Sequence, residues 1–152
     1  MKLSEIGEKI TEKEINFLET TLEVKIPQDY KDFLLKNNGG IPEEIQMFSF
    51  CEIDPENGKE YEMETDIQNF SSINDIPFYY KNLIGARAIP EKYLSIACDS
   101  CGNEILLCAN EFENYGKIFF GNHEMYHPET NYFNMTLIAD SFTEFLNIVY
   151  EG

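Results

Sequence analysis

The stretch VKIPQDYKDFLLKNNGG, residues 24–40, constrains the fold more than any other part of the chain. Its first residues are predicted to be extended, because Pro27 disfavours helical geometry in the residue before it and suits the first turn of a helix. Asn38-Gly39-Gly40 then ends that helix with residues that tolerate positive φ. Its apolar face consists of Tyr30, Phe33 and Leu34. An extended linker that leads into a short amphipathic helix follows from this pattern.

Two further helices are predicted, one before this stretch and one at the end of the chain. Thr11 is a suitable N-cap with Glu14 three residues later, and Ser141 has the same relation to Glu144. Apolar residues at helical spacing follow each cap: Ile15, Leu18 and Leu22 in the first, and Phe142, Phe145, Leu146 and Val149 in the last.

The middle of the chain is predicted to be mostly strands. IQMFSFCEI (residues 45–53), KIFFGN from Lys117, and TLIA (136–139) read as extended, and YLSIACD and EILLCAN flank a turn at residues 100–103 as a hairpin does. Residues 67–92 are expected to hold one short helix between turns. Helices, strands and a final helix predict an α+β fold, with a largely antiparallel sheet flanked by helices and one domain over residues 1–152.

The net charge of −17 limits the classes of partner. Nucleic acid and anionic membrane surfaces are bound through Lys and Arg, and this chain has 11 of those against 28 acidic residues. We therefore expect neither partner. A basic protein is the natural complement, since opposite fields raise the encounter rate. The alternative is that the acidity only keeps the protein soluble.

The chain has no apolar run near the roughly 20 residues needed to cross a bilayer, and its first residues lack the apolar core of a signal peptide. We therefore expect a cytoplasmic protein. In that compartment its four cysteines, Cys51, Cys98, Cys101 and Cys108, are expected to be reduced thiols.

The segment CEIDPENGKEYEMETD, residues 51–66, is the most acidic part of the chain. Pro55 and Asn57-Gly58 mark turns within it, and the glycine does not fall where a calcium-binding EF-hand loop needs it. We expect either a solvated acidic loop or a recognition surface for a basic partner. The candidate contact residues are Glu52, Asp54, Glu56, Glu60, Tyr61, Glu62, Met63, Glu64 and Asp66.

The pentapeptide HEMYH, His123 to His127, matches the zinc-protease pattern His-Glu-x-x-His. That chemistry requires both histidines on one face of a stable helix. Gly121 and Asn122 form turns readily, and Pro128 follows at once, so we expect a strand end that enters a turn. A zinc-dependent hydrolase using His123, Glu124 and His127 therefore stays a remote alternative.

Cys98 and Cys101 form a Cys-x-x-Cys pair, a spacing found in zinc and redox sites. A structural zinc site needs a second close pair, which the chain lacks, and a redox pair needs a helix directly after it. We expect Cys98 and Cys108 to be small core residues on two strands. No catalytic residue, metal or cofactor is predicted, and the protein is not expected to be an enzyme.

Taken in order, several segments resemble the SUKH superfamily, the Smi/Knr-like proteins. The matching residues are Val24, Ile26, Pro27, Asp29, Tyr30, Phe33, Leu34 and Asn38-Gly39-Gly40; Asp99, Gly102 and Asn103; Gly116, Ile118, Phe119, Phe120, His123 and Glu124; and Ala139, Ser141, Phe142, Glu144, Phe145 and Leu146. Residues 52–92 show no match, and Cys98, Cys101 and His127 depart from the pattern.

This resemblance implies an α+β domain whose sheet is flanked by helices. For bacterial members it implies an immunity protein that binds and neutralises a cognate toxin, often a nuclease and therefore basic. The acidic segment lies where the family pattern lapses, as a partner-specific surface does. The alternative is a regulatory protein-binding scaffold of the same fold, as the eukaryotic relatives imply.

Overall fold

The computed structural model describes residues 1–152 as four helices and ten strands. The helices are α1 (Glu12–Leu22), α2 (Gln28–Lys36), α3 (Asp75–Gly85) and α4 (Phe142–Ile148). The strands are β1 (Leu3–Ser4), β2 (Ile41–Pro42), β3 (Gln46–Ile53), β4 (Glu60–Asp66), β5 (Asn69–Phe70), β6 (Tyr93–Cys98), β7 (Glu104–Cys108), β8 (Ile118–Tyr126), β9 (Phe133–Ala139) and β10 (Tyr150–Glu151).

All strand pairs are antiparallel, and they form three sheets. The largest has the order β5-β6-β7-β8-β9, a second has the order β10-β3-β4, and β1 pairs with β2. The predicted α+β class with antiparallel sheets and flanking helices is confirmed. No helix has both the length and the apolar character needed to span a membrane.

The predicted cap of α1 is confirmed, whereas the cap of α4 differs in one bond. At α1, the Glu14 amide donates to Thr11 Oγ1 at 3.4 Å and the Thr11 amide donates to Glu14 Oε2 at 2.7 Å. At α4, the Glu144 amide donates to Ser141 Oγ at 3.0 Å, but the Glu144 carboxylate accepts from the Asp140 amide. The second box is therefore displaced by one residue.

The end of α2 anchors the chain against its neighbours. The helix ends at Lys36, and Gly39 and Gly40 follow with φ of 73° and 131°. A Cβ at Gly39 would lie 2.7 Å from the Ser72 amide nitrogen, so the site requires glycine for space as well as conformation. Asn38 also accepts from the Ile73 amide and donates to the Glu8 carbonyl, which ties three segments together.

The main core contains 21 buried hydrophobic residues contributed by all four helices, the inward faces of the two larger sheets and a few connecting residues. Aromatic rings join the helices to the strands. Tyr30 of α2 meets Phe142 of α4 edge-on at 5.0 Å between ring centroids, and Phe145 meets Phe48 of β3 at 5.4 Å. The helices thus bury their predicted apolar faces, and the outer face of β3 and β4 is left on the surface.

Candidate functional site

Most of the acidic segment is a strand, so the expectation of a loop was wrong for residues 60–66. Strand β4 pairs with β3 along its whole length, from Ile53 opposite Glu60 to Met47 opposite Asp66. Only residues 54–59 form the connection. The physical reason is the alternation in EYEMETD, which places every second side chain on the same face of a strand.

That alternation separates the predicted contact residues into two faces. Tyr61, Met63 and Thr65 lie opposite Glu52, Phe50 and Phe48 on the inner face of the sheet, where Tyr61 is still 44 % exposed. The carboxylates lie on the outer face: Glu60, Glu62, Glu64 and Asp66. Residues two apart in a strand are separated by about 6.8 Å, so this row extends for about 20 Å. We call it the acidic row.

The carboxylates of the acidic row differ in the hydrogen bonds that they make within the chain. Glu60 and Glu62 are exposed and make no side-chain hydrogen bond or ion pair within the chain. Glu64 accepts a hydrogen bond from the Tyr150 hydroxyl, and this bond raises the pKa of Tyr150. Asp66 accepts from both the amide and the hydroxyl of Ser100, each at 2.9 Å. Glu60 and Glu62 are therefore the carboxylates of the acidic row that are most available to a partner.

Three other predicted contact residues lie elsewhere. Glu52 is only 2 % exposed, and its carboxylate accepts from Asn122 Nδ2 of β8 at 3.1 and 3.2 Å. It joins the two larger sheets and cannot contact a partner, which corrects the expectation for this residue. Asp54 and Glu56 lie in the β3–β4 connection, where Asp54 Oδ1 accepts from the Glu56 amide.

The turn between β6 and β7 is built around the buried carboxylate of Asp99, which is 1 % exposed. Oδ1 accepts from the Cys101 amide at 3.0 Å and the Asn103 amide at 2.7 Å. Oδ2 accepts from Asn103 Nδ2 at 2.9 Å and Thr65 Oγ1 at 2.8 Å. Because Thr65 belongs to β4, Asp99 attaches the strand of the acidic row to the large sheet.

HEMYH lies at the end of β8 and is followed by a turn at residues 128–130, as predicted, and Gly121 and Asn122 lie within the strand. Those two residues pair with Met135 and Asn134 of β9, and residues 123–125 bulge before Tyr126 pairs with Phe133. A partner strand can hold turn-forming residues extended, which local preference alone does not reveal.

The two histidines of HEMYH have separate partners. His123 Nδ1 lies 2.7 Å from Asn103 Oδ1, and its ring lies over Gly102, where a Cβ would be 3.5 Å from Cε1. His127 Nδ1 accepts from the Glu129 amide at 3.2 Å. No group of three or more His, Cys, Asp or Glu side chains is placed to hold a metal ion.

The Cys-x-x-Cys pair lies at the end of β6 and in the turn after it. Cys98 is half-buried and donates to Asn69 Oδ1 at 2.8 Å. Burial, with the nearby Glu104 and Asp99 carboxylates, raises the pKa of Cys98 to about 11. Such a thiol is largely protonated near neutral pH and is a weak nucleophile. Cys108 is fully buried as predicted, whereas Cys98 is only partly buried and Cys101 is exposed.

Exposed aromatic side chains form surfaces that the sequence reasoning missed. Phe112 is 88 % exposed in the loop after β7, between Glu111 and Glu113. Phe17 of α1 is 73 % exposed and lines a groove that also includes Pro77 of α3. The polar stretch NEFENYG marks the first as a loop, and the helical spacing of Ile15, Leu18 and Leu22 leaves Phe17 outside the apolar face of α1.

Comparisons with known proteins match nearly the whole chain. The model of the SMI1 / KNR4 family (SUKH-1) matches residues 9–148. The chain is also 33 % identical over 147 residues to the SPbeta prophage-derived uncharacterized protein YokK of Bacillus subtilis (strain 168). That alignment covers 90 % of this chain and 72 % of the relative. The family match includes residues 52–92, where no motif was recognised.

Proposed function

Because the chain belongs to the SMI1 / KNR4 family (SUKH-1), we propose that it is an immunity protein that binds a cognate toxin in the cytoplasm and neutralises it. It does so by forming a stoichiometric complex and not by catalysis. The observation that carries the proposal is the acidic row on the outer face of β4, in a chain of net charge −17.

A toxin that cleaves nucleic acid suits this surface. Such an enzyme holds phosphate groups with Lys and Arg, so its substrate site is positively charged. An acidic row about 20 Å long can cover that site and exclude the substrate. Opposite charges also steer the two proteins together and set their register. We therefore propose a basic nuclease domain as the partner, with neither nucleic acid nor membrane as a ligand.

The neighbours of the acidic row provide the apolar contact that a stable complex needs. Ile53 is 51 % exposed and lies opposite Glu60 on the same outer face, and Cys51 lies opposite Glu62. Apolar groups that become fully desolvated supply most of the affinity of an interface, while a charged rim supplies the encounter rate.

Co-expression tests this proposal. Each candidate toxin domain encoded beside this gene is expressed in a sensitive host with and without the chain. We expect growth only with the chain present, and we expect the purified pair to elute as a one-to-one complex. If no neighbouring toxin is tolerated better with this protein, the proposal is wrong, and a pull-down that recovers only non-toxin proteins favours a regulatory scaffold.

Charge variants test the surface itself. The triple variant Glu60→Gln, Glu62→Gln, Glu64→Gln is expected to slow association with the toxin by about tenfold at low salt, and less at high salt because ions screen the field. A matched control removes the same charge from three exposed glutamates elsewhere, namely Glu8, Glu91 and Glu129. Equal slowing by both triple variants would show that only net charge matters.

A further inference from the structure

Strand β4 has a neighbour on one side only. Its sheet has the order β10-β3-β4, so β4 forms one edge. A strand at an edge presents a row of backbone N–H and C=O groups that can pair with another chain.

The register of the β3–β4 pair determines which residues of β4 direct their backbone N–H and C=O groups toward the open edge. The Asp54 amide donates to the Lys59 carbonyl, and the Ile67 amide donates to the Gln46 carbonyl. Antiparallel pairs alternate between bonded and non-bonded positions, so residues 61, 63 and 65 are the ones that bond to β3. The backbone N–H and C=O groups of Glu60, Glu62 and Glu64 therefore point away from β3, toward the open edge.

The same three residues carry the carboxylates of the acidic row. Each offers a backbone donor and acceptor in the plane of the sheet and a carboxylate above it. The edge is open at this end of β4, whereas its other end is occupied, because Ser100 donates to Asp66 and Thr65 donates to Asp99. The stretch Glu60–Glu64 thus combines a pairing edge with one sign of charge.

The negative charge of this open edge determines which kind of strand can pair with it. A second copy of the chain would bring two rows of carboxylates against each other, and like charges directly opposite destabilise a strand pair. Charged edge residues are a known means of preventing such self-association. A strand with Lys or Arg at alternate positions has the opposite effect, because each positive side chain lies across from a carboxylate.

We propose that the edge of β4 between Glu60 and Glu64 receives an extended segment of the partner protein with Lys or Arg at every second position, which adds a strand to the β10-β3-β4 sheet. Main-chain hydrogen bonds give such a complex its affinity, and the alternate side chains give it specificity. This inference rests on the proposed function, in which the partner is a basic protein.

A peptide probe tests the mode of binding. The probe is an eight-residue peptide of alternating Lys and Thr, four of each, with blocked ends. Two isomers carry N-methyl groups, one on the Lys amides and the other on the Thr amides, so that charge and methyl count are the same. In an added strand only one of these amide sets faces β4. We expect one isomer to bind at least tenfold more weakly than the other, and equal affinities would overturn the proposal.

Variants of Glu62 test the same point on the protein. Glu62→Pro and Glu62→Gln remove the same charge, but only proline removes the outward N–H. Proline is tolerated at an edge position whose N–H faces solvent, so the β3–β4 pairing should persist, as far-UV circular dichroism can verify. We expect Glu62→Pro to bind the unmethylated peptide at least tenfold more weakly than Glu62→Gln. Equal binding by two folded variants would overturn the proposal, and the peptide isomers decide if the proline variant does not fold.

The co-expression assay separates this inference from the function on which it rests. If the chain protects against its toxin and the Glu62→Pro and Glu62→Gln variants protect equally well, strand addition is wrong while the immunity function stands. If no toxin is neutralised but the peptide isomers still differ, the immunity function is wrong and the edge still binds basic strands.

Discussion

Replacing Asp99 with asparagine tests whether the β6–β7 turn holds β4 in place. In the variant, the remaining oxygen can still accept from the Cys101 and Asn103 amides, and Thr65 can reverse its hydroxyl and accept from the new NH₂ group. Asn103 cannot adapt, since its Oδ1 already accepts from the His123 amide at 3.1 Å. Its Nδ2 then faces another donor across a 2.9 Å contact.

The expected loss follows from that one unpaired donor. A hydrogen bond to a charged group contributes about 1.5–3 kcal/mol, and a buried donor left without a partner costs about 1–3 kcal/mol. We therefore expect Asp99→Asn to lower the free energy of unfolding by about 2–3 kcal/mol. In a chain of this size each kcal/mol corresponds to about 2–4 °C in Tm.

Equilibrium unfolding in urea measures this effect. The chain has 9 tyrosines and no tryptophan, so far-UV circular dichroism is the suitable signal. The control is Thr65→Val, which keeps the shape of the side chain and removes one bond to Asp99, for an expected loss of about 1 kcal/mol. The slope with urea should stay unchanged in both variants.

The losses in free energy of unfolding of the two variants show whether Asn103 is left without a partner. If Asp99→Asn costs less than Thr65→Val, then Asn103 has found another partner and the fixed orientation inferred from His123 is wrong. A loss well above the expected value, with a changed slope, would show that the turn does more than position β4.

Three further predictions concern buried groups. Burial raises the pKa of Glu104 above 4.5, so the ionised carboxylate opposes folding. The substitution Glu104→Gln should therefore raise Tm at neutral pH. This gain in Tm should become smaller as the pH falls and vanish below pH 4.5, where the carboxyl group is protonated in the folded and the unfolded chain. Phe145→Ala should lower the free energy of unfolding by about 3–5 kcal/mol, measured in urea, because its fully buried ring leaves a cavity beside Phe48. Glu52→Ala should lower it by about 1–3 kcal/mol by leaving Asn122 unpaired, yet leave toxin affinity within about twofold by titration calorimetry.

Local signals in the sequence were sufficient to locate α1, α2 and α4. Short-range chemistry determines where these helices begin, because each start depends on residues within a few positions of each other. The starts are the capping bond at Thr11, the proline before α2 at Pro27 and the N-cap at Ser141. The hairpin around residues 100–103 was predicted for the same reason.

Strand partners were harder to predict than helices. Residues 60–66 were expected to be a loop because they are strongly acidic, but their pairing with β3 holds them extended. The strand that contains KIFFGN was predicted only as far as Asn122, yet it continues to Tyr126, which pairs with Phe133 of β9. The preference of a residue for a strand depends on the strand beside it, which can be distant in the sequence.

The sequence by itself determined the fold class, the starts of three of the four helices, the resemblance to one family and the strongly negative charge, because composition and short-range patterns encode these properties. Only the tertiary structure decided which carboxylates a partner can reach. Glu52 is buried against Asn122, Asp66 is bonded to Ser100, and Glu60 and Glu62 remain free on an open sheet edge. Burial and pairing depend on contacts between residues far apart in the chain, and no local pattern records them.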